Sequence, residues 1–303
     1  MNFTAKDVQA LREMTGVGMM NCKEALVASD GDINKAVEYL REKGLAAATK
    51  KAGRVAAEGA VCAVVKNGVG AIVEVNCETD FAAKNEKFLS FVEDVAGVVA
   101  DRDPADLDAL LAMPYPGSTQ TVDAALKDNV LVIGENLKIR RFARYSSGVS
   151  VPYIHMGGKI GVLVNLEVSE GLADNPALLA LGKDLAMQTA AMRPSYLDSA
   201  SVPQDVVAKE QEIARAQAIQ EGKPEKALDS IVKGRINKYY EDNCLLNQPF
   251  VKENKMSVAL HVASVAKELG GNITVKAFTR FERGEGIEKK EDNFAAEVAS
   301  MVK

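Results

Sequence analysis

Few residues of this chain have the types and spacing that bond chemistry needs. Its cysteines are Cys22, Cys62, Cys77 and Cys244, and its only histidines are His155 and His261. No two cysteines stand two to four residues apart, so spacing forms neither a zinc knuckle nor a redox pair. Cys77 is the one tempting nucleophile, at the end of a predicted strand, but no histidine lies near it in sequence. Gly222-Lys223-Pro224 lacks the upstream glycine of a phosphate loop, and Pro224 stands where a magnesium-binding Ser or Thr would be. Gly284 and Gly286 have no strand–glycine–helix setting. No catalytic set, metal cluster or cofactor loop is expected, so the chain reads as a non-enzyme that works by contact.

The contact candidates are pairs of neighbours. Asp80 and Phe81 stand together in Glu74-Val75-Asn76-Cys77-Glu78-Thr79-Asp80-Phe81-Ala82-Ala83-Lys84. Ile72, Val73 and Val75 predict a strand before them. Phe88, Leu89, Phe91, Val92 and Val95 predict a helix after them. Taken alone, the residues favour a local role, with Asp80 as a helix cap and Phe81 as a staple on the helix it starts. The second pair is Met19-Met20, which follows Gly16-Val17-Gly18. Adjacent methionines make an adaptable apolar surface, or both fill the core of a small bundle.

Around these residues the chain divides into predicted units. Residues 1–54 read as three short helices with little area to bury, marginal alone. Thr4 with Asp7, and Asn21 with Glu24, have capping-box spacing, and Asp32 caps the third helix, which Gly44 is expected to stop. Lys50-Lys51-Ala52-Gly53-Arg54 reads as a solvated connector or helix end. Residues 55–144 follow as a core subdomain. They hold two strands turning at Asn67-Gly68, a helix to about Ala100, an irregular crossing from Asp101 to Gly117, a helix over Val122–Glu135 and a strand from Leu137 to Arg144. On that last strand Lys138 and Arg140 read as an exposed sheet face.

A second core subdomain, 145–202 with 241–281, repeats the hairpin and helix of the first, Gly158 matching Gly68 at an offset of about 90 residues. Its strand ends in Glu167-Val168-Ser169-Glu170 without an acid–aromatic pair, so that pair is not needed to build the unit. Residues 203–240 predict two helices joined at Gly222-Lys223-Pro224, an antiparallel coiled-coil hairpin. Leu245–Met256 reads as loop, Ser257–Leu269 as helix and Ile273–Phe281 as strand. In the closing module, 282–303, Phe294, Val298 and Met301 share one face of a final helix. The fold class expected is α+β: helices first, then a duplicated antiparallel sheet-plus-helix core with an inserted hairpin.

Two stretches carry a resemblance. Leu11-Arg12-Glu13-Met14-Thr15-Gly16-Val17-Gly18-Met19-Met20-Asn21-Cys22-Lys23-Glu24-Ala25-Leu26 and the stretch from Glu74 to Lys84 are similar to the two signatures of the bacterial elongation factor Ts family. The resemblance continues through the repeated core, the helical hairpin and Gly284-Glu285-Gly286. It implies a ubiquitin-associated-like bundle at the N-terminus and nucleotide exchange on elongation factor Tu. It implies that Thr79, Asp80, Phe81 and Ala82 dislodge that partner's magnesium ion. Arg12, Met19 and Met20 would lie against a helix of the partner's nucleotide-binding domain, and His155 near its third domain. The family's usual residue at position 82 is Val, so Ala82 alters only local packing. The hairpin is by resemblance a homodimerisation module.

Bulk properties agree with a soluble globular protein, at 47% hydrophobic and 26% charged residues. A net charge of −5 argues against direct nucleic-acid binding, which needs a basic face. No apolar run is long enough to span a bilayer and no secretory or transit pattern opens the chain, so a cytoplasmic protein is expected. The rival function is an adaptor that binds a partner helix without causing exchange; an enzyme built on Cys77 is a distant third.

Overall fold

The structure, a computed structural model, describes residues 2–288. The helix expected near Phe294 lies outside the described residues. Three helices come first: α1 (Ala5–Thr15), α2 (Met19–Ala28) and α3 (Ile33–Lys51). The Asp7 carboxylate accepts the Thr4 backbone N–H (2.6 Å) and the Thr4 hydroxyl (2.8 Å), as the capping spacing predicts. The second predicted cap is displaced. Gly18, not Asn21, precedes α2, because the left-handed turn at Gly16 (φ 71°) already closes α1 on Arg12 O. Nor does Gly44 stop α3, which runs on to Lys51. A Cβ at Gly44 would stand 3.3 Å from Lys127 O, so this glycine serves a close helix approach instead.

Two three-stranded antiparallel sheets form the centre. The first has the order β1 (Glu58–Lys66), β2 (Val69–Cys77), β3 (Lys138–Tyr145). Between β2 and β3 come α4 (Asp80–Ala83), α5 (Glu86–Arg102), α6 (Leu107–Ala112) and α7 (Val122–Ile133). The crossing from Asp101 to Gly117 is thus not wholly irregular: Asp106 caps the short α6 through Ala109 N, and Leu110 buries it. The second sheet has the order β4 (Val149–His155), β5 (Ile160–Val168), β8 (Ile273–Glu282). Helix α8 (Pro176–Met192) follows β5, and α11 (Val258–Glu268) precedes β8.

The two units share construction details. Asn85 caps α5 and Asn175 caps α8, about 90 residues apart, each through its side chain and the amide two residues on. Both helices end on a left-handed non-glycine residue, Asp103 (φ 53°) and Arg193 (φ 50°). Each sheet carries one bulge on its third strand. Val75 faces Ile139 while Glu74 faces Arg141, and Leu166 faces Val275 while Asn165 faces Ala277, leaving Arg140 and Lys276 as the extra residues.

Helices cover the outer faces and the sheets pack on each other. Phe88, Phe91, Val92 and Val95 of α5 bury against Val73 and Val75. Leu178, Leu181 and Leu185 of α8 bury against Val162 and Val164. Between the sheets lie Val61, Ile72, Leu163 and Phe281. The N-terminal helices have their own core of Leu11, Leu26 and Leu40, against which Leu131 and Val132 of α7 pack. Helices α9 (Gln204–Gln220) and α10 (Glu225–Asn243) pack chiefly on each other through Ala214, Val232 and Ile236. They turn at Gly222 (φ 71°), and Arg235 holds Glu221 through two 2.8 Å bonds. The segment expected as loop after α10 instead contains a short ribbon, β6 (Pro249–Phe250) with β7 (Glu253–Ser257). Buried Gln188 shapes it by donating to Gln248 Oε1 and Pro249 O, both 3.1 Å, and accepting Val251 N–H at 2.8 Å.

Glu74 is fully buried at the centre of β2. Its carboxylate pairs with Arg141 (2.6 Å) and Arg140 (3.1 Å) and accepts from Asn76 Nδ2 (3.0 Å) and from the Gly284 amide (2.8 Å). The bulge brings both arginines to one carboxylate, so Arg140 is not the exposed face residue expected. Removing one partner of a buried ion pair leaves the other without compensation. Glu74→Ala should therefore lower unfolding stability in urea by about 3 kcal/mol. A loss below about 1 kcal/mol, the scale of an exposed pair, would contradict this role.

Candidate functional site

Strand β2 delivers the chain into a single helical turn. Thr79 is extended (φ −123°, ψ 158°) and caps α4, its hydroxyl oxygen accepting Ala82 N–H at 3.2 Å. Asp80 is therefore not the cap; its carboxylate holds Lys84 Nζ at 2.7 Å, and this hydrogen bond keeps its pKa below the usual carboxylate value. Ala82 and Ala83 are buried in the core beside Phe88. Successive residues on a helix point about 100° apart, so anchoring Ala82 and Ala83 inward turns Phe81 outward. Phe81 is 83% exposed, so it does not staple the helix it precedes.

The turn is held from a distance. Glu135, just past the end of α7, accepts the backbone N–H groups of Glu78 and Thr79, both at 3.0 Å, and the Thr79 hydroxyl at 2.6 Å. Glu78 answers by accepting the Asn136 amide at 2.6 Å. Asn136 Nδ2 donates to Arg54 O at 2.8 Å, Arg54 reaches the Glu78 carboxylate at 3.4 Å, and Lys51 Nζ donates to Gly134 O. The basic connector is thus tied to the turn rather than merely solvated. Nothing in the residue pattern announces Glu135 for this task; only folding brings it to a turn more than fifty residues earlier.

A second surface lies at the start of α2. Val17 is buried and anchors the bend, and Cys22 Sγ donates to Val17 O at 3.4 Å. Met19 (49%) and Met20 (75%) then emerge together, with Arg12 and Met14 exposed on α1. Of the two readings for this methionine pair, the core reading is excluded. Lys87 of α5 reaches Gly16 O at 3.4 Å, so the bend rests on the helix that follows Phe81. His155 ends β4, its Nδ1 2.9 Å from the Tyr153 hydroxyl and its ring tilted against Tyr153. Ile154 and Met156 beside it are also exposed.

A family model described as elongation factor TS matches residues 78–285. Three curated relatives called elongation factor Ts align along nearly their whole length. The one from Clostridium perfringens is 52% identical over 303 residues, covering 99% of each chain. That from Syntrophotalea carbinolica is 48% identical over 305 residues, covering 100% of each. That from Trichlorobacter lovleyi is 48% identical over 306 residues, covering 99% of this chain and 98% of its own.

Cys77 has no histidine beside it. His155 is engaged by Tyr153, and His261 stacks on Phe250 with ring centroids 4.1 Å apart. Cys77 Sγ donates to Thr79 O at 3.2 Å. Burial, then the nearby Glu135 and Glu58 charges, push its pKa up to about 12. Burial likewise raises Cys62 and Cys244 to about 11. A thiol held neutral is a poor nucleophile. At pH 7.5 the native chain should react with a chromogenic disulfide far more slowly than the urea-unfolded chain, in which all the cysteines are free to titrate. Prompt labelling of Cys77 in the native chain would overturn this reading.

Proposed function

The chain belongs to the elongation factor Ts family, and from that membership we propose that it exchanges the nucleotide of elongation factor Tu by using Phe81 as a wedge. The family implies the coarse role: a translation factor that binds elongation factor Tu and promotes nucleotide exchange. The finer reading rests on one observation, an 83% exposed phenyl carried by a turn whose backbone is fixed on Glu135. An isolated exposed apolar residue is ordinary, whereas one held stiffly beside an acid at a strand–helix junction suits insertion into another surface.

In this mechanism Phe81 enters between helices of elongation factor Tu near its magnesium site, and Asp80 contacts the elements it displaces. The partner's magnesium ligands shift, and the ion no longer bridges protein and β-phosphate. Lost charge neutralisation raises the dissociation rate of GDP. Thr79 and Ala82 support the wedge from behind, one as cap and one as core anchor. Arg12, Met19 and Met20 add a second contact on the partner's nucleotide-binding domain, and His155 a third on another domain. The coupling is reciprocal: a factor that weakens GDP is itself weakened by nucleotide, so GTP rebinding releases it without any bond being made. The α9–α10 hairpin, with Ile213 and Ile219 exposed, is the proposed surface for a homodimer.

Phe81→Ala should slow stimulated release of a fluorescent GDP from elongation factor Tu by at least about tenfold, or 1.4 kcal/mol of barrier. Its thermal unfolding should barely change, since exposed side chains contribute about 0.5 kcal/mol or less to stability. Undiminished release would remove Phe81 from the mechanism. Binding by the parent chain without accelerated release would instead favour an adaptor.

A further inference from the structure

Glu135 bonds to the chain just before Phe81 and so fixes the backbone from which Phe81 projects. We propose that Glu135 is a positioning residue for exchange, acting through Thr79 to keep Phe81 in its inserting orientation. This rests on the reading of Phe81 as the wedge. The Glu135 carboxylate takes two backbone amides and one hydroxyl from Glu78 and Thr79, the residues directly before α4. A carboxylate that accepts several N–H and O–H groups makes short, charge-assisted bonds, and those at Thr79 measure 2.6 and 3.0 Å.

The brace is crossed. Glu78 accepts the Asn136 amide at 2.6 Å while Glu135 accepts the Glu78 amide at 3.0 Å. Each segment thus orients the other. Arg54 and Lys51 fasten the exit of α3 to the same place, through Glu78 and Gly134. The Thr79 hydroxyl has two uses at once, donating to Glu135 and accepting from Ala82 N–H. Losing Glu135 therefore loosens the cap of α4 as well as the turn before it.

A wedge does its work only in the fraction of molecules that hold the inserting geometry, and the competent population sets the effect. On the proposed reading initial docking runs through α1, α2 and the β4–β5 hairpin, and the turn acts on the docked pair. Weakening the brace should thus lower the maximal stimulated rate of GDP release and leave the half-saturating concentration of factor unchanged. A residue that merely supports the fold would instead raise the half-saturating concentration through loss of native chain and leave the maximal rate at the parent's value.

The test uses the full chain, elongation factor Tu and a fluorescent GDP. Glu135→Ala should reduce the maximal rate about fivefold or more with half-saturation within twofold, consistent with a competent fraction cut by that factor. Glu135→Gln keeps an acceptor for the hydroxyl but sets an amide group against a backbone N–H, so it should fall between Glu135→Ala and the parent. Amide hydrogen exchange at Glu78 and Thr79 should accelerate in both variants while Ile72 and Val73 stay protected. In the Phe81→Ala background, Glu135→Ala should cause no further loss, because the two act as one unit. A maximal rate within twofold of the parent for Glu135→Ala, beside a slow Phe81→Ala, would overturn the positioning role and leave the wedge standing. So would an equal loss in both backgrounds. If Phe81→Ala is itself fast, the wedge fails and this inference with it. Should Glu135→Ala not fold, Glu135→Gln decides alone, and a parent-like maximal rate from it overturns the proposal.

Discussion

A carboxylate removed from water must be compensated, and the placement of Glu74 shows how much of this fold that requirement organises. It sits in the middle strand of the first sheet with no exposure, and four donors converge on it. Two come from the bulge of β3, one from its own strand and one from the segment after β8. A single charge thus joins the third strand of the first sheet to the far end of the second. Arg141 also stacks over Phe281, 4.4 Å from the ring centroid, and holds Glu285 at 3.1 Å. Unpaired, such a charge would cost several kcal/mol; paired from several sides it restricts the sheets to one arrangement.

The same strand is fixed again where it ends. Glu74 secures the body of β2, and Glu135 secures the turn that leaves it. What lies between is short and buried, so little slack separates the sheet from the exposed phenyl. The comparison between the two units sharpens this point. Both have a hairpin, an Asn-capped helix, a left-handed helix end and a bulged third strand. Only the first inserts a separate helical turn with an outward aromatic between strand and helix. The turn is an addition to a plan that closes without it: Ala82 and Ala83 anchor it in the core and leave Phe81 facing solvent.

Much of the architecture was legible because it rests on periodicity. The Asn67-Gly68 hairpin, the α5 and α8 faces and the long helical pair follow from spacing alone, and so does the recurrence of the unit. Glycine was less readable. Near the end of a periodic stretch, Gly44 looks like a stop, yet the helix continues and the missing side chain admits Lys127 O. The ribbon at Pro249–Ser257 is too short for a period, and its shape depends on Gln188, distant in sequence. At the site, the residue types of the Asp80–Phe81 pair were visible but their orientation was not. Thr79 and Asp80 both have the chemistry of a cap, and only the inward demand of Ala82 and Ala83 decides that Phe81 faces water. Glu135 and Arg54 were beyond reach because local patterns carry no information about partners brought together by folding.

The paired helices α9 and α10 have a mechanical consequence. At 1.5 Å per residue, the 17 residues of α9 extend about 26 Å. Among the described residues the pair packs chiefly on itself and meets the rest of the chain mainly near Cys244, at the near ends of its two helices, which gives it the form of a lever arm. A rocking of roughly five degrees at that fulcrum carries the Gly222 tip through about 2 Å over such a length. Small readjustments beneath Cys244 are therefore magnified at the far end, where Gly222 and Pro224 bend the chain back.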